Sequence, residues 1–400
     1  MYRLLQINVS ANWGSTGKIA EEIGLQVMKQ GWESYIAYGR YCNPSKSKLI
    51  KIGNIIDVYE HYAENLLFDN EGFASKGPTR KLISIIEKIQ PDIIHIHNIH
   101  DHYLNYPLLF EFLSTYDRPI VWTQHDCWAY TGGCTYYSVK QCFDWEKGCK
   151  VCPRRKGSFF DNSAKHYNLK KKLLSSLKNF TIVPVSEWLE KEILRSFLGK
   201  YNIYTILNGI DINTFRPIDN SGIRDKYNLG KGEILLGIAS VWHERKGLND
   251  YLRLSKYLSS NEKIVLVGLN KQQSKHLPSN IIAIPRTQNI EDLVSFYNEA
   301  SIVLNLSSEE TFGLTTIEGL ACGTPGIVYN CTASPELITA NTGRVVEKGD
   351  IEGVYNAVME LIGIGKNKLT EACRLRAIEK YDKNICYNSY IALYNSLLEK

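Results

Sequence analysis

The 400-residue chain has no window of the roughly 20 apolar residues that a membrane-spanning helix needs. No secretory leader is expected either, because the first residues, MYRLLQINVS, read as a β-strand and not as a signal peptide. Both absences point to the cytoplasm, where thiols stay reduced, so the ten cysteines need an explanation other than disulfides. Internal repeats and low-complexity tracts are missing as well. Net charge is only +5, and no basic groove interleaved with aromatics is present, so no nucleic-acid partner is expected. The glycine-rich stretch NVSANWGSTGKIAEEIG (8–24) lacks the spacing of a nucleotide-triphosphate P-loop. Gly14 and Gly17 are three apart instead of five, and Ile19 follows Lys18 where a magnesium-binding hydroxyl should stand.

What is present is ordinary globular material, 44% apolar and 22% charged, in a chain long enough for two cores. Residues 3–9 read as a buried first strand. Ile19, Ile23 and Val27 recur at helical spacing over 18–30, with Gly31 placed to end that helix. Small residues thus join a strand to a helix N-terminus, a setting that favours an anion, although a tight βα turn reads the same way. Further β-rich runs at 33–38, 92–97, 119–123, 181–185 and 203–207 alternate with helical stretches. A polar segment, 213–232, interrupts them. A second set follows at 233–239, 263–267, 281–284, 301–306 and 326–329. The alternation predicts two doubly wound parallel α/β domains joined near 213–230, with ligands beyond the C-terminal strand ends and in the cleft between the domains.

The chemistry concentrates in SIVLNLSSEETFGLTTIEGLACGTPGIVYN, residues 301–330. A strand ends at Leu306, and a helix starts near Leu314 and stops at Gly323 and Pro325. Glu310 lies in the loop and Glu318 eight positions on, inside the helix. Thr311 to Thr316 place Gly313 and free backbone N–H groups at the helix start. Taken alone, the segment is also compatible with a βα unit carrying solvated glutamates.

This segment resembles the E-x7-E signature of retaining glycosyltransferases of the GT-B fold, specifically glycosyltransferase family 4. Other stretches agree: VSEWLEKEI (185–193) with ILNGIDINTFRP (206–217), HERKGLNDYL (243–252), PDIIHIHNIH (91–100), VWTQHD (121–126) and the final YDKNICYNSYIALYNSLLE. The resemblance implies an N-terminal Rossmann-like acceptor domain over 1–212 and a nucleotide-sugar domain over 213–378. A tail, 379–400, would pack its helix back on the first domain. It implies that Glu310 holds hydroxyls of the donor sugar and Glu318 the ribose. Lys246 and the backbone of Phe312, Gly313, Leu314 and Thr315 would bind the diphosphate, with Gly17 on its other side and His125 near acceptor and donor sugar. The family's usual arginine, about six residues before the lysine, is replaced by Ser240; whether the adjacent Arg245 compensates is open on sequence alone.

Residues 125–153 hold five cysteines in 29 positions. The spacing Cys149-x2-Cys152, with Cys142 and Cys134 before it, reads as a structural zinc clasp within an insertion, 127–156; buried or free thiols are the other reading. Cys127 adjoins His125 and Asp126 at a strand end. His95, His97, His100 and His102 have no carboxylate or cysteine at ligand spacing, which argues against a metal there. Residues 147–178 hold ten Lys or Arg against one acid, Asp161, and a helix over 164–180 with Leu169, Leu173 and Leu177 on one stripe. A solvated face explains such a run; contact with an anionic membrane surface, making the protein peripheral on the inner face of the cell membrane, also fits.

The expected activity is that of a hexosyltransferase-type enzyme. A UDP or GDP type nucleoside-diphosphate sugar would be the donor, and a glycan or polyprenyl-linked saccharide of surface polysaccharide the acceptor. Same-face displacement would retain configuration, with no catalytic metal, since Lys246 and the helix N-terminus take its place. Two other classes fit the architecture: a sugar-nucleotide epimerase, which needs no acceptor, and a catalytically silent scaffold of a polysaccharide assembly complex, which the Ser240 departure favours.

Overall fold

The computed structural model describes residues 1–155, 159–219, 221–287 and 289–399. Lys156 and Asn220, both counted in the readings above, lie outside them. The chain forms two compact units, one comprising Met1–Leu207 with Cys386–Lys400, the other Asn208–Ile385.

In the first unit the described strands are β1 (Arg3–Asn8), β2 (Glu33–Tyr38), β3 (Lys48–Lys51), β4 (Ile93–Ile96), β5 (Ile120–Gln124), β6 (Phe180–Pro184) and β7 (Asn202–Ile203). They form one parallel sheet in the order β3-β2-β1-β4-β5-β6-β7. Helices α1 (Gly14–Lys29), α2 (Ile55–Phe68), α3 (Lys76–Ile89), α4 (Tyr106–Ser114), α5 (Ser163–Leu174) and α6 (Glu187–Arg195) connect them. β1, β4, β5 and β6 are near-continuous apolar runs because helices cover parallel strands on both faces. On one face the Ile19, Ile23 and Val27 stripe of α1 packs on Leu4, Ile93, Val121 and Val183. The last helix, written α13 below (Lys383–Leu398), adds Tyr387, Tyr390, Ile391 and Tyr394 to the same core. Each such aliphatic side chain contributes about 1.5–3 kcal/mol on burial.

The second unit repeats the pattern with β8 (Glu233–Ile238), β9 (Glu262–Val267), β10 (Ile281–Ile284), β11 (Ile302–Asn305), β12 (Gly326–Tyr329) and β13 (Gly343–Val346). The parallel order is β10-β9-β8-β11-β12-β13. Its helices are α7 (Ile223–Lys226), α8 (Leu248–Leu254), α9 (Ile290–Glu299), α10 (Leu314–Ala321), α11 (Ile351–Ile364) and α12 (Lys366–Tyr381). In each sheet the strand order reverses at one place, between β1 and β4 and between β8 and β11. Loops leaving the C-terminal ends of such strand pairs diverge and open a crevice, where ligands of doubly wound sheets bind.

Several boundaries differ from the sequence reading. The polar stretch 213–232 packs on the second unit: Arg224 Nε donates to Glu299 at 2.7 Å and the Ile218 N–H to Asn298 Oδ1 at 2.9 Å. The chain leaves the first unit at Leu207 and returns at Cys386. α1 begins at Gly14, four residues before the expected start, so Gly17 sits in its first turn and not in the loop. α5 ends at Leu174, six residues short of 180, and Lys170 on it is buried instead of solvated.

Candidate functional site

In the second unit the site grows from a steric fit at the β8/β11 switch point. Gly247 has φ +72°, and a Cβ there would meet the Leu306 carbonyl oxygen at 2.1 Å, so only glycine allows this approach. The contact ties the 3₁₀ turn Glu244–Lys246 to the loop leaving β11, and the Ser308 N–H donates to the Arg245 carbonyl at 2.7 Å. Lys246 and Arg245, neighbours on this turn, therefore reach the same carboxylate. Lys246 Nζ pairs with Glu310 Oε1, and Arg245 lies 3.8 Å from Glu310 Oε2 while donating to the Glu309 carbonyl at 3.0 Å. The Glu310 main chain is fixed from the other side, its N–H donating to Thr332 Oγ1 at 2.8 Å and its carbonyl accepting from the Ala333 N–H at 3.1 Å. Burial pushes the Glu310 pKa up, but Lys246 and Arg245, with hydrogen bonds from Lys246 and Ser307, outweigh it and hold the carboxyl below its ordinary value.

Beyond this cluster α10 opens at Leu314, with Gly313 before it at φ +101°. Phe312 is buried against Tyr381, ring centroids 6.0 Å apart, and fixes the approach to the helix. The first turn contains no acidic residue; its Thr316 N–H donates back to the Gly313 carbonyl at 3.1 Å, and the Leu314 and Thr315 N–H groups precede that bond. Leu314 and Thr315 are half-buried there. One turn along, Glu318 accepts the Tyr297 hydroxyl at 2.6 Å. The unit thus presents two cations, a screened carboxylate, a helix N-terminus and a second carboxylate at one end of its sheet. Ser240, where the expected arginine is missing, is exposed.

In the first unit the corresponding ends of β1, β4 and β5 carry a histidine network. His125, just past β5, shares a 3.1 Å hydrogen bond with His97, which holds Gln6 Oε1 at 3.0 Å through its other nitrogen. His95 is held by Thr123 Oγ1 at 2.8 Å and the Tyr394 hydroxyl at 2.7 Å. Burial depresses the pKa of all three, His125 to about 4, so they are neutral near pH 7. His100 behaves oppositely. Burial pulls it down, but Asp126, 2.8 Å away, pushes it up to about 9. Gly17 packs against the 10–12 loop, where a Cβ would meet Ser10 Oγ at 2.7 Å, and its carbonyl accepts the Asn12 N–H at 3.1 Å.

Cys134, Cys142, Cys149 and Cys152 do not form the expected clasp. Among the described residues no three His, Cys, Asp or Glu side chains are placed to hold a metal ion. Instead Cys134 hydrogen-bonds to Cys152, and Cys149 Sγ accepts the Gly132 N–H at 3.1 Å. Aromatic packing orders the loop, with Trp145 buried between Tyr130 and Tyr137 at centroid distances of 5.0 and 5.2 Å and Tyr137 bonded to Glu192. Beneath the loop lies a cavity of about 360 Å³, lined by Glu71, His102, Trp128, Arg154 and Lys170 among others. Lys170 Nζ donates to the Trp128 carbonyl and stands 3.8 Å over its indole ring. No spacing signal marks Lys170 as buried, nor the His97–His125 and His100–Asp126 contacts. The alternating His95 and His97 on a strand next to the Gln124–His125 strand end are the nearest thing to one.

Residues 17–214 match the family model Glycosyltransferase Family 4, and residues 232–363 match Glycosyl transferases group 1. The chain is a family 4 glycosyltransferase. It is 22% identical over 388 residues to a provisionally named colanic acid biosynthesis glycosyl transferase, WcaC, of Escherichia coli, covering 92% of this chain and 91% of that one. It is 26% identical over 242 residues to a capsular polysaccharide biosynthesis glycosyltransferase, CapM, of Staphylococcus aureus, a match that spans 55% of this chain and 62% of the relative. Among solved structures it resembles sucrose-phosphate synthase of Thermosynechococcus elongatus, with TM-score 0.74 and 16% identity over the full length of both chains. It also resembles HepE of Anabaena, solved with UDP, with TM-score 0.70 and 12% identity over 99% and 100% of the two chains. The fold of this glycosyltransferase is accordingly GT-B. No described helix is long and apolar enough to cross a membrane.

Proposed function

We propose that this glycosyltransferase moves a sugar from a nucleoside-diphosphate sugar, with retention of configuration, to a glycan or polyprenyl-linked saccharide in surface polysaccharide synthesis. The observation that carries the reading is the convergence of Lys246 and Arg245 on Glu310 beside the N-terminus of α10. A diphosphate competes for the same two cations. Once they turn to it, the Glu310 carboxylate is released to accept hydroxyls of the donor sugar, and Glu318 would take the ribose. In this reading Arg245, 3.8 Å from Glu310, would take the part of the arginine missing at Ser240, which speaks against a silent scaffold. As the bond to the donor breaks, negative charge grows on the departing diphosphate, and the cations and first-turn N–H groups of α10 stabilise it. The acceptor side belongs to the first unit: His125, neutral and oriented by His97, would hold an acceptor or donor hydroxyl without adding charge. The 360 Å³ cavity beside Trp128 offers polar walls for a saccharide. UDP in HepE and the polysaccharide roles in the names of WcaC and CapM support the donor class and the product class.

The deciding experiment incubates the protein with UDP- and GDP-sugars, with and without polyprenyl-linked saccharide acceptors. Sugar transfer that depends on acceptor and is lost in Glu310→Ala is the expected result. Turnover of the donor to an isomer without acceptor would instead make the protein an epimerase.

A further inference from the structure

We propose that Gln6 is a positioning residue for sugar transfer: acting through His97, it fixes the ring proton of His125 on Nε2, so that His125 Nδ1 meets a sugar hydroxyl only as an acceptor. Gln6, His97 and His125 share the face of the first sheet that α1 and α13 cover. In the register of β1 with β4, Gln6 stands opposite His95, and His97 follows two residues on, on the same side. His125 likewise follows Thr123, the residue that holds His95, by two. From the covering helix α1 the Ala20 carbonyl accepts the Gln6 amide at 2.7 Å. Gln6 and His97 are fully buried and His125 nearly so, so their polar atoms are matched to one another.

The polarity is set from the helix inward. A carbonyl oxygen only accepts, so the Gln6 atom at Ala20 is Nε2, and Oε1 is the atom turned to His97 at 3.0 Å. That amide oxygen also only accepts, so His97 Nε2 carries a proton. Burial, with His95 and His125 beside it, keeps His97 neutral, so this is its one ring proton and Nδ1 is bare. Across 3.1 Å a bare Nδ1 requires the proton of His125 to sit on Nε2. Burial leaves His125 a single proton as well. Asp126, which favours a second, is paired with His100 at 2.8 Å, and His100 opposes it. Nδ1 of His125 is therefore an acceptor. The reversed chain would set two buried acceptors face to face, Gln6 Oε1 against His97 Nε2. Turning the amide over would instead set Oε1 against the Ala20 carbonyl. A histidine free to choose its tautomer can serve a hydroxyl, an ether or a carbonyl oxygen. This one serves a hydroxyl and leaves an ether or carbonyl oxygen without a donor.

The inference rests on the reading that His125 meets a hydroxyl of the donor or acceptor, but its first test needs neither, so either idea can fail alone. Full-length protein labelled with heavy nitrogen in its nine histidines is studied by nitrogen–proton correlation NMR near neutral pH. The His125 signals are those lost in His125→Gln. His97 and His125 are both expected to show a protonated Nε2 and a bare Nδ1. Gln6→Met keeps the bulk of the side chain but takes the amide acceptor from His97, so the His125 signals should move toward an average of the two tautomers. In that variant kcat for transfer should fall about tenfold, the equivalent of one neutral hydrogen bond, with UDP affinity unchanged. A protonated Nδ1 on His125 in the wild-type protein would overturn the proposal, even if the variant did not fold. So would a His125 tautomer that Gln6→Met leaves as it was, or one that shifts while kcat stays at the wild-type value.

Discussion

Replacing Lys246 by alanine perturbs both the resting structure and the diphosphate site, and the two effects can be separated. Lys246 and Glu310 are largely buried, their side chains 18% and 11% exposed. Stranding one partner of a buried pair costs about 3–5 kcal/mol. Here Arg245 remains 3.8 Å from the carboxylate, an attraction of about 4 kcal/mol at an effective dielectric of 20, so the carboxylate is not left alone. A net loss of about 2 kcal/mol follows, or a drop of about 4–8 °C in melting temperature for a unit of this size. The loss should depend on pH. The Glu310 pKa is lowered in the folded state, so its favourable contribution is present above the ordinary carboxyl value and disappears as pH falls through the folded one. Mutant and wild type should therefore melt closer together in acid. Affinity for UDP, measured by calorimetry, should fall by about 10- to 150-fold, the equivalent of one charge-assisted hydrogen bond. Adding Glu310→Gln to the alanine variant removes the carboxylate charge that Arg245 only partly compensates and should restore the melting temperature without restoring affinity. A Lys246→Ala protein with wild-type melting and wild-type UDP affinity would refute the placement of the diphosphate. A double variant as unstable as the single one would refute the electrostatic account.

Glu310→Ala alone should reduce sugar transfer far more than UDP binding, because its carboxylate is assigned to the sugar; equal losses in assay and calorimetry would contradict that. Gly247→Ala should destabilise the second unit by more than about 1 kcal/mol and weaken nucleotide binding, since a Cβ would strike the Leu306 carbonyl; the melting curve tests it. The His100–Asp126 pair gives the first unit an alkaline signature. A pKa raised to about 9 contributes stability that is complete below the ordinary histidine value and lost as pH rises through 9, so Asp126→Asn should lower the melting temperature in mild acid and much less at alkaline pH. Trp145→Ala should cost about 3–5 kcal/mol and expose the cysteine loop to proteases, whereas Cys142→Ser, with no metal shell to break, should leave both properties near wild type.

Much of the fold could be read from period alone. The stripe of Ile19, Ile23 and Val27 and the stop at Gly31 are recovered in α1, whose Gly31 N–H bonds the Met28 carbonyl at 3.0 Å. β2, β10 and β12 keep their expected limits because each is a short apolar run between polar turns. β3 (KLIK) and β13 (GRVV) escaped because edge strands are only half covered and carry too few apolar residues to stand out. The early start of α1 escaped for a different reason. Gly14, Ser15, Thr16 and Gly17 are poor helix formers, and their helical state comes from packing against the Ser10–Asn12 loop, which no local propensity records.

The site divides along the same line. The positions of Glu310 in a loop, Gly313 at a helix start and Glu318 inside that helix were legible because a βα unit at the end of a parallel strand places such residues by geometry, whereas Lys246 was singled out only through the family resemblance. That Arg245 joins Lys246 was not legible, because it depends on how a 3₁₀ turn is held against a distant loop by Gly247 and Ser308. The cysteines show the limit of spacing most clearly. A C-x-x-C pair fixes how far two thiolates can reach, but a tetrahedral shell also requires the rest of the loop to bend all four inward. In this loop Trp145 packs between Tyr130 and Tyr137 and Tyr137 bonds Glu192 of α6, while Cys134 pairs with Cys152 and Cys149 accepts the Gly132 N–H. The loop is therefore ordered by a core of its own, built on the first unit beside Asp126 and Trp128, and the walls of the adjoining cavity are set by aromatic packing, which alanine at Trp145 removes and a chelator does not.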